Sequence, residues 1–140
     1  MAISAILVAV DGGHDTDQVL ALATSMALAF SAKTHVLTVA DVPGMAATSD
    51  LAVEASEERA RQVARAALER LAESGVTAES HVADGSPAKV IAALARSLGC
   101  DLIVIGHRHM SLLGRVFDPS VCDDLLDHTS CPVLVVPGSQ

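Results

Sequence analysis

A helix followed by a buried strand is encoded by residues 85–106, GSPAKVIAALARSLGCDLIVIG. Ser86 is a favourable N-cap residue, and Pro87 suits the first helical position, whose backbone N–H has no partner within the helix. Apolar residues then recur at spacings of three and four, and Gly99 is typical of a helix C-terminus. Residues 102–105 are continuously apolar, as in a strand that helices cover on both faces. This segment therefore predicts one helix–strand unit of a parallel sheet.

The same alternation of strand and helix runs along the rest of the chain. Continuously apolar strands are predicted at residues 3–10, 34–40 and 132–136, whereas residues 76–82 alternate apolar and polar side chains, as in an edge strand with one wet side. Helices with apolar stripes separate these strands. The order β-α-β-α-β-α-β-α-β predicts right-handed crossovers and an α/β fold: a doubly wound, Rossmann-like parallel sheet of five strands in a three-layer α/β/α sandwich. Residues 1–140 are expected to form one domain.

The helical segments carry finer patterns as well. Asp15 followed three residues later by Gln18 resembles a capping box at the start of the first helix. The apolar stripe of that helix is expected to end at a buried Phe30. A last short helix is predicted to start near residues 118–119 and to bury Leu126 among its apolar residues.

Composition excludes several classes of protein. The chain has 140 residues, of which 51% are apolar and 19% charged, so it is too hydrophobic to be disordered. The formal net charge is −8, Trp and Tyr are absent, and there are two Phe, which argues against a nucleic-acid partner. No apolar run approaches the roughly 18 residues of a membrane span, and no basic stretch opens the chain. We therefore expect a cytoplasmic protein without a membrane partner.

Cysteine and histidine spacing predicts neither a metal site nor a nucleophilic enzyme. The three cysteines are odd in number and lack CxxC spacing, so they are expected to be reduced and mostly buried thiols. His107 and His109 would point the same way in an extended segment, but the sequence offers no evident third ligand, and no metal is expected. Ser120 does not stand on a GxSxG elbow. We expect no catalytic residue and no enzymatic activity.

Three segments of the chain resemble the universal stress protein family. They are ILVAVDGG at residues 6–13, the helix–strand unit at residues 85–106, and GHRHMSLLGRVFDPSVCDDLLDHTSCPVLVV at residues 106–136. The resemblance spans residues 3–136 in matching order and spacing. It implies a small cytoplasmic α/β protein of the stress response, usually a homodimer joined through its last strand. In nucleotide-binding members of the family, ATP lies at the switch point of the sheet.

The resemblance also shows a departure in the phosphate-binding motif. ATP-binding members carry Gly-x-x-Gly, nine further residues and then Gly-Ser/Thr. Gly106 and Ser120 match the two ends of this motif, but His109 and Pro119 replace the two glycines between them. The Cβ of His109 obstructs the close backbone approach that a phosphate cradle needs, and Pro119 has no N–H to donate. Asp118 would add an N-cap carboxylate at the same helix end. ATP binding is therefore expected to be lost or weakened.

The candidate nucleotide- or anion-binding residues follow the predicted strands at their carboxyl ends. They are Val10, Asp11, Gly12, Val39, Gly106, Arg108, His109, Arg115, Ser120 and Val121. Arg108 and Arg115 either bind a small anion or monophosphate nucleotide in place of the missing glycines, or are solvated loop charges paired with nearby aspartates. Asp11 either accepts sugar hydroxyls or starts a turn with Gly12. No cofactor is certain, and ATP or another adenine nucleotide is the candidate.

The last predicted strand leaves an apolar edge. Val133, Leu134, Val135 and Val136 stand near the C-terminus, and no helix follows them to cover the edge. An uncovered apolar edge commonly pairs with another strand, which predicts a two-fold homodimer through these four residues. The alternative is that residues 137–140 shield the edge. A client protein is a further candidate partner.

Overall fold

The computed structural model describes residues 2–40, 50–107 and 120–137. These ranges contain five strands and four helices in strict alternation, which confirms the predicted order. The strands are β1 (Ala5–Ala9), β2 (Lys33–Ala40), β3 (Ala78–Asp84), β4 (Leu102–Gly106) and β5 (Val133–Val136), and the helices are α1 (Thr16–Phe30), α2 (Asp50–Glu73), α3 (Pro87–Leu98) and α4 (Ser120–His128). None of the helices in these ranges is long and apolar enough to cross a membrane.

The sheet is parallel throughout, and its strand order is β3-β2-β1-β4-β5. The chain runs outward from β1 to β3 on one side and then starts again at β4 on the other side. The topological switch point therefore lies between the carboxyl ends of β1 and β4. Doubly wound sheets bind ligands in the crevice at this position.

Two apolar cores lie on the two faces of the sheet. Ile6 and Val8 of β1 pack with α1 and α2, whereas the alternate residues Leu7 and Ala9 pack with α3 and α4. All four side chains are almost completely buried, as expected of a central strand that helices cover on both sides. The predicted three-layer sandwich is confirmed.

The alternating segment forms an edge strand, as predicted, but β3 begins two residues later than the sequence pattern suggested. Gly75 has a positive φ of 85°, and the N–H of Val76 donates to the carbonyl of Leu71 at 2.9 Å. Val76 is therefore part of the turn that ends α2, and its buried side chain contributes to the core from there. The strand can start only after this turn, at Ala78.

Two expectations about the first helix are wrong. Asp15 has helical backbone angles (φ −90°, ψ −3°) and makes no side-chain capping hydrogen bond. An N-cap residue needs an extended backbone to bring its oxygen over the next N–H groups, so the predicted capping box does not form. Phe30 is 45% exposed, because it is the last residue of α1 and the chain turns away at Ser31 into β2.

The buried positions predicted for the last helix are confirmed only in part. Leu125 is fully buried in the core beneath α3 and α4, but Leu126 is 57% exposed. Successive helical residues lie about 100° apart around the axis, so Leu126 points away when Leu125 points inward. The predicted start of this helix at residues 118–119 lies outside the described residues.

Candidate functional site

A small depression lies at the switch point, where β1 and β4 end and α1 begins. Its lining includes Asp11, Asp15 and Gly106, together with Ala9, Val10, Thr16 and Val19. The empty volume is about 180 Å³, including space that is open to solvent. The described residues therefore form a shallow site at the position where this fold class binds ligands.

Asp11 begins a tight turn at the end of β1. Its Oδ1 accepts a hydrogen bond from the N–H of Gly13 at 2.8 Å, which is an Asx turn. Gly12 between them has φ +80°, and a Cβ placed there would lie 2.8 Å from Cγ2 of Val63. Glycine is thus required by both the backbone conformation and the contact with α2. The turn expected of Asp11 is present, and its contact with a sugar hydroxyl stays a prediction.

Gly106 lets the end of β4 approach the first turn of α1 closely. A Cβ at Gly106 would lie 3.3 Å from Cγ2 of Val19 and 3.7 Å from Cβ of Asp15. The next N–H, that of His107, donates to the carbonyl of Val136 at 2.8 Å and so continues the ladder to β5. Asp15 is buried in this arrangement. Two carboxylates, Asp11 and Asp15, therefore line the depression, and its described lining contains no lysine or arginine.

The predicted site residues fall into three groups. Val10, Asp11 and Gly106 lie together in the depression, with Gly12 in the adjoining turn. Val39 and Val121 do not line it, because both pack against the core beneath α3 and α4. Arg108, His109 and Arg115 lie outside the described residues, and so does the side chain of Ser120, which is the first residue of α4.

A second polar cluster, which the sequence analysis missed, lies between β2 and β3. It consists of His35, Glu79 and His81. Nδ1 of His35 lies 3.0 Å from Nε2 of His81 and 3.5 Å from Oε2 of Glu79. The available sequence signal is His35, a histidine near the start of the predicted buried strand at residues 34–40. The convergence itself depends on the strand register, which cannot be seen in the sequence.

The three cysteines are free thiols, as predicted. Cys122 is buried and the other two are half-buried, and burial raises the pKa of all three. Burial, with a smaller contribution from the neighbouring Cys131, raises the pKa of Cys100 to about 11. A thiol of this kind is protonated at neutral pH, and the thiolate is the nucleophilic form. The arrangement therefore does not favour cysteine-based catalysis.

The edge formed by β5 is open along its outer side among the described strands. β5 pairs in parallel with β4 and is the last strand in the sheet order. Its first three residues are half-buried and Val136 is buried. The carbonyls of Pro132 and Val136 accept hydrogen bonds from the N–H groups of Ile103 in β4 and His107 just after it, at 2.9 and 2.8 Å. Because backbone groups alternate in direction along a strand, those of Val133 and Val135 point away from β4.

Comparison with known sequences identifies relatives across nearly the whole chain. Residues 3–137 match the universal stress protein family. The chain is 32% identical over 84 residues to universal stress protein Sll1388 of Synechocystis, an alignment that covers 60% of this chain and 54% of that protein. It therefore spans about half the length of that relative. The chain is 31% identical over 139 residues to putative universal stress protein SH1215 of Staphylococcus haemolyticus, covering 94% of this chain and 82% of the relative.

Comparison with solved structures gives the same family. A universal stress family protein from Burkholderia pseudomallei is 28% identical, with a TM-score of 0.79 and 97% of each chain covered. A universal stress protein in complex with cAMP is 23% identical, with a TM-score of 0.75 and coverage of 99% and 100%. One from Archaeoglobus fulgidus in complex with dAMP is 24% identical, with a TM-score of 0.70 and coverage of 96% and 98%. The two complexes share the fold of this chain.

Proposed function

Because the chain belongs to the universal stress protein family, we propose that it is a cytoplasmic, non-enzymatic stress-response module that acts as a homodimer with lost or weakened ATP binding. The observation that carries this proposal is the buried carboxylate of Asp15 at the switch point. Asp11 and Asp15 both line the depression where the fold would receive a nucleotide. Phosphates that reach Asp15 would meet a like charge on the protein side.

The electrostatic effect is large enough to matter. Two like charges 4 Å apart repel by about 1 kcal/mol in water and by more where burial reduces the effective dielectric constant. Asp15 is buried, so its surroundings screen a bound phosphate less than bulk water would. This repulsion acts against ATP at this site.

The family motif supports the same proposal. His109 and Pro119 replace two glycines of the phosphate-binding pattern, which removes a position of close backbone approach and one N–H donor. These losses act on the phosphates, whereas Asp11 lies where the family places the nucleoside. The chain therefore keeps more of the nucleoside side of the site than of the triphosphate side.

A second candidate function is a sensor for a monophosphate nucleotide or another small anion. Two structural neighbours of this chain are complexes with cAMP and dAMP, which carry one phosphate each. One phosphate needs fewer donors than three, and the guanidinium groups of Arg108 and Arg115 would supply them together with His109. Loss of binding in Arg108→Ala is expected under this alternative.

The first experiment is to denature the protein as purified from cells and to identify released small molecules by mass spectrometry. No released nucleotide favours the first proposal, and stoichiometric AMP, cAMP or a related monophosphate favours the second. Stoichiometric ATP overturns the first. Calorimetry with Mg-ATP then compares the wild type, which should show no sub-millimolar binding, with Asp15→Asn, which should bind more tightly. Asp84→Asn, at the end of the outer strand β3, is the matched control and should not change.

The proposed homodimer is tested at the outward-facing backbone of β5. Val135→Pro removes an N–H that points away from β4, so it should leave the β4 ladder intact while preventing strand pairing with a second copy. Val135→Ala retains that N–H and is the control for the side chain. Sedimentation should report a dimer for the wild type and Val135→Ala, and a monomer for Val135→Pro. A monomeric wild type, or a Val135→Pro variant that stays dimeric, would contradict this interface.

A further inference from the structure

Three potential metal ligands converge at the β3 edge of the sheet, away from the switch point. Nδ1 of His35 lies 3.0 Å from Nε2 of His81 and 3.5 Å from Oε2 of Glu79, and all three ligand atoms lie within 4.8 Å of one another. Each residue directs one nitrogen or oxygen atom toward the same small volume. Two imidazoles and one carboxylate are a donor set that proteins use for zinc.

The parallel register of β2 and β3 produces this convergence. His35 is paired with Glu79, and Leu37 is paired with His81. Residues at alternate positions of a strand share one face, so Glu79 and His81 lie on the same side of β3. Leu37 packs against the core beneath α3 and α4, which assigns His35 and its partners to that face of the sheet. All three ligands thus come from extended backbone within the sheet.

We propose that His35, Glu79 and His81 form a binding site for a divalent transition-metal ion, with Zn²⁺ as the best match. Zinc–nitrogen distances are about 2.0–2.1 Å, so two ligands of a tetrahedral site lie about 3.3–3.4 Å apart. The distances of 3.0 and 3.5 Å from His35 Nδ1 are close to this value. Imidazole nitrogen favours zinc and its transition-metal neighbours over Mg²⁺ and Ca²⁺, which prefer oxygen ligands.

The surroundings of His35 favour the neutral ring that a metal requires. Its side chain is only 4% exposed, and burial, followed by the nearby His81, lowers the pKa of His35 below its ordinary value. A neutral imidazole carries one proton, which in the metal-bound form would occupy the nitrogen that faces away from the ion. Without the ion, the short contact between the two rings needs an N–H on one ring and an acceptor nitrogen on the other. Metal binding therefore needs a change of tautomer in one ring.

Glu79 links the cluster to solvent and to a cation. Its side chain is 61% exposed, and its Oε1 lies 3.6 Å from Nζ of Lys33. Lys33 thus contacts one carboxylate oxygen while the other faces the histidines, which orients the carboxylate as outer-shell partners of metal ligands do. The exposed side of Glu79 leaves access for a water molecule as fourth ligand. Three protein ligands with an open fourth position are typical of zinc sites that exchange a ligand.

This site is separate from the candidate nucleotide site. His35 lies five residues before Ala40 at the carboxyl end of β2, a distance of about 16 Å along the strand. Metal binding at His35 and His81 would join the outer strand β3 to its neighbour β2. It should therefore stabilise the folded protein by linkage, whether or not a nucleotide binds at the switch point.

Calorimetric titration of metal-stripped protein with Zn²⁺ tests the proposal. We expect one high-affinity ion per chain and, in His81→Gln and Glu79→Gln, a dissociation constant raised at least about tenfold, since even outer-shell changes cost 10–100-fold. Lys33→Met removes the ion pair that orients Glu79 but no ligand, so it should still bind one ion per chain, with a smaller loss of affinity than His81→Gln. His128→Gln, an exposed histidine on α4, controls for adventitious binding to surface imidazoles. His81 and Glu79 are chosen because substitution of the buried His35 could unfold the protein.

Thermal unfolding provides a second measurement on the same proteins. Zn²⁺ should raise the unfolding midpoint of the wild type and Lys33→Met, but not that of His81→Gln. Circular dichroism without metal checks that each variant is folded. The proposal is overturned if the wild type binds no Zn²⁺, if His81→Gln and Glu79→Gln bind it as tightly as the wild type, or if binding is lost instead in a His107→Gln/His109→Gln double variant.

Discussion

At each end of the central strand pair, β1 and β4, an aspartate accepts hydrogen bonds from the backbone N–H groups of other residues. The two aspartates differ in how far away along the chain these donor residues lie. At the carboxyl end, Asp11 accepts from Gly13, two residues away. At the amino end, Oδ2 of Asp101 accepts from the N–H of Ser4 at 2.8 Å and of Ala5 at 3.1 Å, across 97 and 96 residues. The first contact shapes a local turn, and the second joins β1 to β4.

The openings at the two ends differ as well. The carboxyl end has the depression of about 180 Å³ lined by Asp11 and Asp15. The amino end has a wider groove of about 730 Å³ between the ends of α3 and α4, lined by residues that include Cys100 and Cys131. The end where the fold class binds ligands is thus the more tightly packed one among the described residues, because the first turn of α1 packs against Gly106.

Substitution of Gly12 should have the largest effect on stability. In Gly12→Ala the side chain must adopt φ +80°, which costs about 1–2 kcal/mol, and its Cβ would lie 2.8 Å from Cγ2 of Val63. Valine is stiff at χ1 and cannot rotate away freely. We expect a total loss of about 2–3 kcal/mol in the free energy of unfolding, measured by urea denaturation.

Gly75→Ala is the matched control for this prediction. Gly75 has φ +85° and no atom within 4 Å of the Cβ position, so it shares the backbone strain of Gly12 without the contact. The difference between the two variants isolates the contact with Val63, and a Gly12→Ala/Val63→Ala double variant should recover part of it. Equal losses for Gly12→Ala and Gly75→Ala would contradict the proposed clash at the carboxyl end.

The contrast between the two ends explains which features the sequence predicts. The order of strands and helices, the end of α3 at Gly99 and the turn at Asp11 depend on residues close in sequence. The structure confirms all three. The Asp15 capping box also looked local, but it fails because the backbone at Asp15 is helical. A residue pattern identifies a candidate cap, whereas the φ and ψ angles decide whether its oxygen can reach the N–H groups.

Contacts between strands could not be predicted from the sequence, for a different reason. The Asp101–Ser4 link requires β1 and β4 to be neighbours, and the His35–His81 contact requires a particular register of β2 and β3. A pattern of apolar residues indicates that strands exist, but a shift of one residue changes which side chains meet. The metal ligands proposed between β2 and β3 are therefore predictable as individual polar residues but not as a cluster.

Substitution of Asp101 should have the next largest effect on the stability of the folded protein. Hydrogen bonds from the N–H and hydroxyl of Ser4 and from the N–H of Ala5 hold the pKa of Asp101 below its ordinary value. A carboxyl with a lowered folded-state pKa stabilises the protein above its unfolded pKa of about 3.9, and this contribution is lost as the pH falls through the folded-state value. Asp101→Asn should therefore unfold at a lower temperature than wild type at pH 7, with less difference in acid.

Thermal unfolding from neutral to acidic pH measures this difference. Asp127→Asn, at an exposed position on α4, is the control and should follow the wild type throughout. A midpoint difference between wild type and Asp101→Asn that stays constant down to pH 3 would show that the charge of Asp101 does not contribute. Such a result would also remove the contrast between a local turn at one end and a charged strand link at the other.

The smallest effect is expected at the amino-end groove, where Cys100 should resist alkylation without any change in stability. With a pKa of about 11, about one thiol in a thousand is ionised at pH 8, compared with about one in four for an ordinary cysteine of pKa about 8.5. Iodoacetamide should therefore modify Cys100 about two orders of magnitude more slowly in the folded protein than in urea.

The tryptic peptide of residues 97–108 contains Cys100 alone among the cysteines, so mass spectrometry follows it directly. Equal rates in the two states would mean that the groove leaves this thiol as solvated as in an unfolded chain, and the amino end would then be packed even more loosely, relative to the carboxyl end, than the structure shows.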